Sequence, residues 1–262
     1  MTRNLVFFIL MFFGSGLLAA ELRQFGENAR SNGMGGVRVA EPHRAYNFLS
    51  NPAYLGQIKG MNWDVFQLGL GTNGQKTYED FKDFQYEGIE SLSQLYGRYI
   101  NVNYQGYSAV AFPNFGFAVY NQGYVEASAH NPAFPVLDMT YMNDYGLAIG
   151  GAVPLGPNLH LGLNGRRVTR KGNNLQLGAS TLDQIESNEQ LLEQFENEGV
   201  GYALDAGLLY TAPEPFSPSI SLAWKDLGST AFTKTKGAMA PDHQKDEVSL
   251  AVTFQGDSTL IG

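Results

Sequence analysis

The sequence has no cysteine. Disulfides, thiol nucleophiles, thiolate metal sites and a cysteine-borne lipid anchor are thereby excluded. Charge is also scarce: Asp, Glu, Lys and Arg supply 16% of the 262 residues, and the net charge is −8. A nucleic-acid binder would carry basic stripes, so no nucleic-acid partner is expected. The histidines His43, His130, His160 and His243 are dispersed, and none shows the His-x3-His spacing of a helical zinc site. There is no Gly-x-Ser-x-Gly elbow and no phosphate loop. Hence no catalytic residue, metal ligand or cofactor is assigned and no enzyme is expected, although a triad assembled in space would leave no sequence motif. Beyond residue 20 no apolar run reaches the ~18 residues of a transmembrane helix.

What is present begins at the N-terminus. Arg3 precedes the apolar run Leu5 to Phe13, and Gly14 to Ala20 is small and apolar. That order is a secretory signal peptide over 1–20, with cleavage expected after Ala20 despite the imperfect Leu18. A retained anchor helix is the alternative. Gly (31), Tyr (14) and Phe (17) are abundant. Many aromatics and glycines with few charges suit short strands that face lipid.

From residue 61 onward the pattern alternates with period two. Val200, Tyr202, Leu204, Ala206, Leu208 and Tyr210 share one face of a run, and Gly201, Ala203, Asp205, Gly207 and Leu209 share the other. Similar alternation predicts eight strands, near 61–71, 105–112, 115–124, 144–154, 158–169, 200–212, 217–227 and 246–255. Long connections (72–104, 125–143, 170–199, 228–245) then alternate strictly with short turns at Pro113-Asn114, Gly156-Pro157 and Pro213-Glu214-Pro215. Transmembrane barrels have this asymmetry, with tight turns at one end and free loops at the other. The reading is an all-β, antiparallel transmembrane β-barrel over 61–262, in the bacterial outer membrane, with the lipid bilayer as a partner. Within 170–199, Leu182, Ile185, Leu192 and Phe195 recur at helical intervals among acidic residues. This is either a solvated acidic helix or a cation or receptor site.

A basic residue facing hydrocarbon at mid-depth costs about 2–4 kcal/mol. Asp205, Lys225 and one of Arg166 and Arg167 are therefore expected to face the lumen, with Arg166, Asp205 and Lys225 forming a ladder of charges. Such a ladder either satisfies a polar interior or forms a selective constriction. The other lumenal positions are small, such as Gly146, Ala148, Gly150 and Ala203, and leave room for a filler. Segment 21–60 is the candidate.

That segment reads Asn28-Ala29-Arg30-Ser31-Asn32-Gly33-Met34-Gly35-Gly36, and later Asn51-Pro52-Ala53-Tyr54-Leu55. It resembles the N-terminal signature of the FadL-like outer-membrane superfamily, which includes FadL and TodX transporters, PorV-type secretion proteins and TraF-type conjugation proteins. Leu222 to Gly228 ("LAWKDLG") is similar to that family's middle hairpin. The resemblance implies a plug, or hatch, over 21–60 bearing Gly33, Gly35, Gly36, Asn51, Pro52 and Ala53. The function it implies is binding or passive transport of hydrophobic molecules such as long-chain fatty acids or hydrocarbons. The alternative is a structural or interaction barrel serving secretion or conjugation proteins. Asn131-Pro132-Ala133 repeats the tripeptide, so an ordinary turn is the other reading of Asn51 to Ala53. Relatives have more than eight strands, and Gly256-Asp257 looks like a turn into another strand starting at Ser258. The expectation is a partial barrel, either a fragment or a C-terminally shortened relative.

Overall fold

A computed structural model of the protein describes residues 44–73, 89–185, 187–213 and 218–253. The expected signal peptide, Gly33, Gly35, Gly36 and the strand start after Gly256 lie outside the described residues. Nine antiparallel strands build one sheet: β1 (Asn62–Thr72), β2 (Tyr99–Phe112), β3 (Phe115–His130), β4 (Val136–Pro154), β5 (Leu159–Gly178), β6 (Glu198–Thr211), β7 (Ser219–Lys225), β8 (Phe232–Lys236) and β9 (Glu247–Thr253). The path β1-β2-β3-β4-β5-β6-β7-β9 curls into a half-barrel, and β8 pairs with β6 beyond the end of β7. Among the described residues, β1 pairs only with β2, and β9 only with β7. No described helix is long and apolar enough to cross a membrane.

Period-two alternation decides the two faces, because successive Cβ atoms leave a strand on opposite sides. Register then lines up outward apolar residues across neighbouring strands. Leu208, Leu222 and Leu250 form one row, and Tyr210, Ile220 and Val252 the next. Apart from the half-buried Leu208 these side chains are exposed, as are Phe117, Leu147, Ile149, Val153, Leu161, Leu163 and Leu204. In β1 a bulge between Asp64 and Gln67 turns both Val65 and Phe66 outward.

The strands differ from expectation mainly in length. β2 begins at Tyr99, β3 runs to His130, β4 starts at Val136 and β5 extends to Gly178. The expected loop 125–143 is thus a hairpin turn over 131–135, and the strict alternation of long and short connections fails there. Polar residues such as Glu126, Thr140 and Asn173 resemble loop residues, yet they sit in an unbroken ladder. The expected loop 228–245 contains β8, which makes nine strands. β7 stops at Lys225 because Asp226 adopts a left-handed backbone, φ 50°.

The single expected loop helix is two short ones, α1 (Ala179–Leu182) and α2 (Asn188–Glu193). They do not stand free in solvent. Leu182, Ile185 and Leu191 pack with Leu92 and Leu95 on Ile100, Ala127, Leu137 and Leu177. Ladder parity puts these four strand residues on the same face as Val110, Phe117, Leu147 and Leu163. The outer face therefore has two zones. Toward the loop end its apolar residues are roofed by the chain's own segments. Toward the turn end they are bare.

Candidate functional site

The concave face carries three connected arrangements, and the first is at the turn end. Two 3-10 turns, Ala45–Leu49 and Pro52–Gln57, lie against the inner wall. Pro52 cannot donate a backbone hydrogen bond and suits a first helical position. Asn51 caps that turn, its Oδ1 accepting from Ala53 N at 2.9 Å. The Asn51 amide reaches the wall, donating to Ser221 Oγ at 2.7 Å, to Leu222 O at 3.2 Å and to Leu208 O at 3.4 Å. One side chain, fully buried, thereby joins the segment to β6 and β7.

The small wall residues are what permits this close approach. A Cβ on Gly207 would overlap Asn51, one on Gly162 would overlap the Pro52–Ala53 backbone, and one on Gly150 would come within 2.8 Å of Phe48. Phe48 and Leu55 share a buried cluster with Ala118, Ala148, Val168 and Phe232. Further bonds run from Asn114 N to Leu55 O at 3.0 Å and from Gln57 Nε2 to Thr211 Oγ1 at 2.8 Å. His160, expected to face the lumen, lies against Gly56.

The second arrangement is a buried charge cluster midway along the wall. Arg166 donates to both carboxylate oxygens of Asp205, at 2.8 and 3.0 Å, and ion-pairs with Asp226 Oδ1 at 2.9 Å. Asn164 Nδ2 and the backbone N–H of Asp226 donate to Asp205 at 3.0 and 2.9 Å. Thr230 Oγ1 donates to Asp226 at 2.7 Å. Of the three expected lumenal charges, Arg166 and Asp205 are thus in direct contact. Lys225 is buried one residue away from the third member, which is Asp226. Arg167 is exposed on the outer face, between Leu147 and Tyr202 in the ladder.

The third arrangement, at the loop end, was not anticipated. Arg170 donates to Asp144 at 2.7 and 2.6 Å, to Asp242 O at 3.0 Å and to Gln244 Oε1 at 2.5 Å, and its guanidinium lies 4.5 Å from the centre of the Phe232 ring. Residues Arg166, Val168 and Arg170 have the same parity, so extending the alternation past Thr169 would have found Arg170. Asp226 left no such signal, because parity within 217–227 turns it outward and only its left-handed backbone brings it in.

The chain matches no family model, no curated protein and no solved structure. Its functional reading rests on its own geometry and on the resemblance of Asn51 to Leu55 and Leu222 to Gly228. Among the described residues no group of three or more His, Asp or Glu is placed to hold a metal ion.

Proposed function

We propose that this chain forms the wall and hatch of an outer-membrane β-barrel that binds or passively transports hydrophobic molecules. The observation that carries the proposal is the bare half of the outer face. The chain roofs its outer apolar residues at the loop end and leaves them naked at the turn end. In water a naked apolar patch of that extent is an aggregation or binding surface. In a bilayer it is the expected surface of a spanning strand.

The dimensions agree. A tilted strand crosses hydrocarbon in about 9–11 residues. On β6, Tyr202 and Tyr210 frame outward Leu204, Ala206 and Leu208; on β4, the outward set runs from Tyr145 to Val153. Aromatic residues at both ends of an apolar band are what the two interfaces favour. Arg166, Arg170, Asp144 and Asp205 face inward and are paired, which keeps them out of hydrocarbon, whereas Arg167 lies on the outer face beside Tyr202, at the border of the apolar band.

Inside, the 45–57 segment fills the turn end as a hatch would. Its aromatic side chains Tyr46 and Phe48 are buried with Tyr107, Tyr120 and Phe232 of the wall in one largely apolar cluster on the concave side. Expression in a Gram-negative host tests the reading. The protein should fractionate with outer membrane, migrate differently before and after boiling, and raise uptake of a hydrophobic fluorescent dye. Recovery as a water-soluble monomer would overturn the membrane reading. Membrane insertion without added uptake would overturn transport and favour the interaction barrel.

A further inference from the structure

The connection between β8 and β9 is not a loop held out in solvent. We propose that residues 237–246 are a strap that closes the loop end of the lumen and is latched by Arg170, resting on the membrane-barrel reading above. Arg166, Val168 and Arg170 project from β5 to the concave side. Whatever meets the Arg170 guanidinium must therefore lie over the lumen. Two groups of the strap do so, Asp242 O and the Gln244 side chain. Pro241 is buried in the same region, its Cδ within 2.8 Å of where a Gly199 Cβ would stand.

Both ends of the strap are tied to the wall. Asn197 Oδ1 accepts from Ala238 N at 2.9 Å and from Met239 N at 3.2 Å. Thr230 and Gln244 exchange two backbone bonds, at 2.8 and 2.9 Å. Between these ties, Ala240, Asp242 and His243 are exposed, and Pro241 is the one buried apolar residue that holds the segment down. Such a segment depends on a few polar contacts and can open without unfolding the sheet. Arg170 is the group on which they converge. Its Asp144 pair holds the guanidinium in place, and the remaining donors hold the strap. With the hatch at the turn end, the concave face is closed at both ends by different parts of the chain.

The lack of native cysteine makes a lock simple to install. A pair exchanging both backbone bonds has Cα atoms about 5.5 Å apart, within disulfide range. The double variant Thr230→Cys with Gln244→Cys should slow dye uptake several-fold when oxidised and regain it on reduction. Gln244→Ala leaves the Arg170–Asp144 pair intact and should speed uptake several-fold, and Arg170→Gln should speed it further. Uptake by inserted, heat-modifiable protein that is the same for the oxidised lock, the reduced lock and Gln244→Ala would overturn the strap alone. No uptake above background from the wild-type chain would overturn transport and the strap with it.

Discussion

Gly162→Ala offers a sharp test of how the hatch segment is held. A Cβ at position 162 would stand within 2.5 Å of the Pro52 carbonyl oxygen, and closer still to Ala53 N, whereas ordinary contact begins near 3.4 Å. The wall cannot yield, because Gly162 is paired on both sides, with Ala152 of β4 and Gly207 of β6. The 52–57 turn must retreat instead, by roughly 1 Å or more. Asn51 is adjacent, and its bonds to Ser221 and Leu222 measure 2.7 and 3.2 Å. An added ångström takes both to or beyond the useful range of about 3.5 Å. Each buried polar group left unsatisfied costs about 1–3 kcal/mol, so two such losses cost about 2–6 kcal/mol. Alanine returns about 0.5–1 kcal/mol by restricting the unfolded chain. That gain acts on unfolding of the whole chain and cancels when only the 45–57 segment undocks from a folded wall, so its docking is weakened by about 2–6 kcal/mol. Gly165→Ala on the same strand is the control, since a Cβ there meets nothing within 4 Å. Limited proteolysis of the folded protein in detergent should cut within 44–60 far faster in Gly162→Ala than in Gly165→Ala or wild type. Equal cutting rates in all three would refute the docking argument.

Asp205→Ala leaves the buried Arg166 paired with Asp226 and should destabilise by about 3 kcal/mol, the low end for breaking a buried pair, whereas Asp183→Ala in the exposed turn after α1 should stay within about 0.5 kcal/mol; the boiling temperature for loss of the compact electrophoretic form reports both. Leu204→Arg places a cation in the bare outer zone and should cost about 2–4 kcal/mol in lipid, with little effect in a detergent whose headgroups can reach the strand; equal stability in the two media would argue against lipid contact at Leu204. The exposed Glu196 carboxyl is held below its ordinary pKa by the Lys236 ammonium, 2.7 Å away. Its folded pKa is depressed, so any stabilisation is in force above the unfolded carboxylate pKa and fades as pH falls through the folded value; Lys236→Ala should remove this acid-side dependence at low salt and change nothing at high salt.

Much of the wall was legible residue by residue. Tyr202, Leu204 and Tyr210 on one face and Ala203 and Asp205 on the other follow from period two alone, and the sheet has them so. The inward choice of Arg166 over Arg167 needed only the register of one strand. The reading failed where composition was taken for conformation. Glu126, Thr140 and Asn173 looked like loop, but a paired strand outside the apolar zone has no need of hydrophobic residues. The helical interval held only in part, since α1 ends at Leu182 and Ile185 lies past the turn that follows, and the sequence held no sign that their partner would be the outer face of the sheet.

Alternation is local. It is dictated by the geometry of each strand, so the sequence by itself determined the all-β character, the two faces and the placing of Arg166 and Asp205 on the inner one. Pairings across the concave face are not local. Asn51 meets Ser221, 170 residues away, and Arg170 meets Gln244, 74 residues away, only because the sheet curls and brings those backbones within reach. Asp226 joins Arg166 only because its left-handed backbone reverses the face that parity assigns. Those contacts depend on curvature, on register summed over several strands and on single backbone dihedrals. None of these is a property of any short stretch of residues, and so only the tertiary structure decided where the 45–57 segment docks, which carboxylates hold Arg166, and what lies over Arg170.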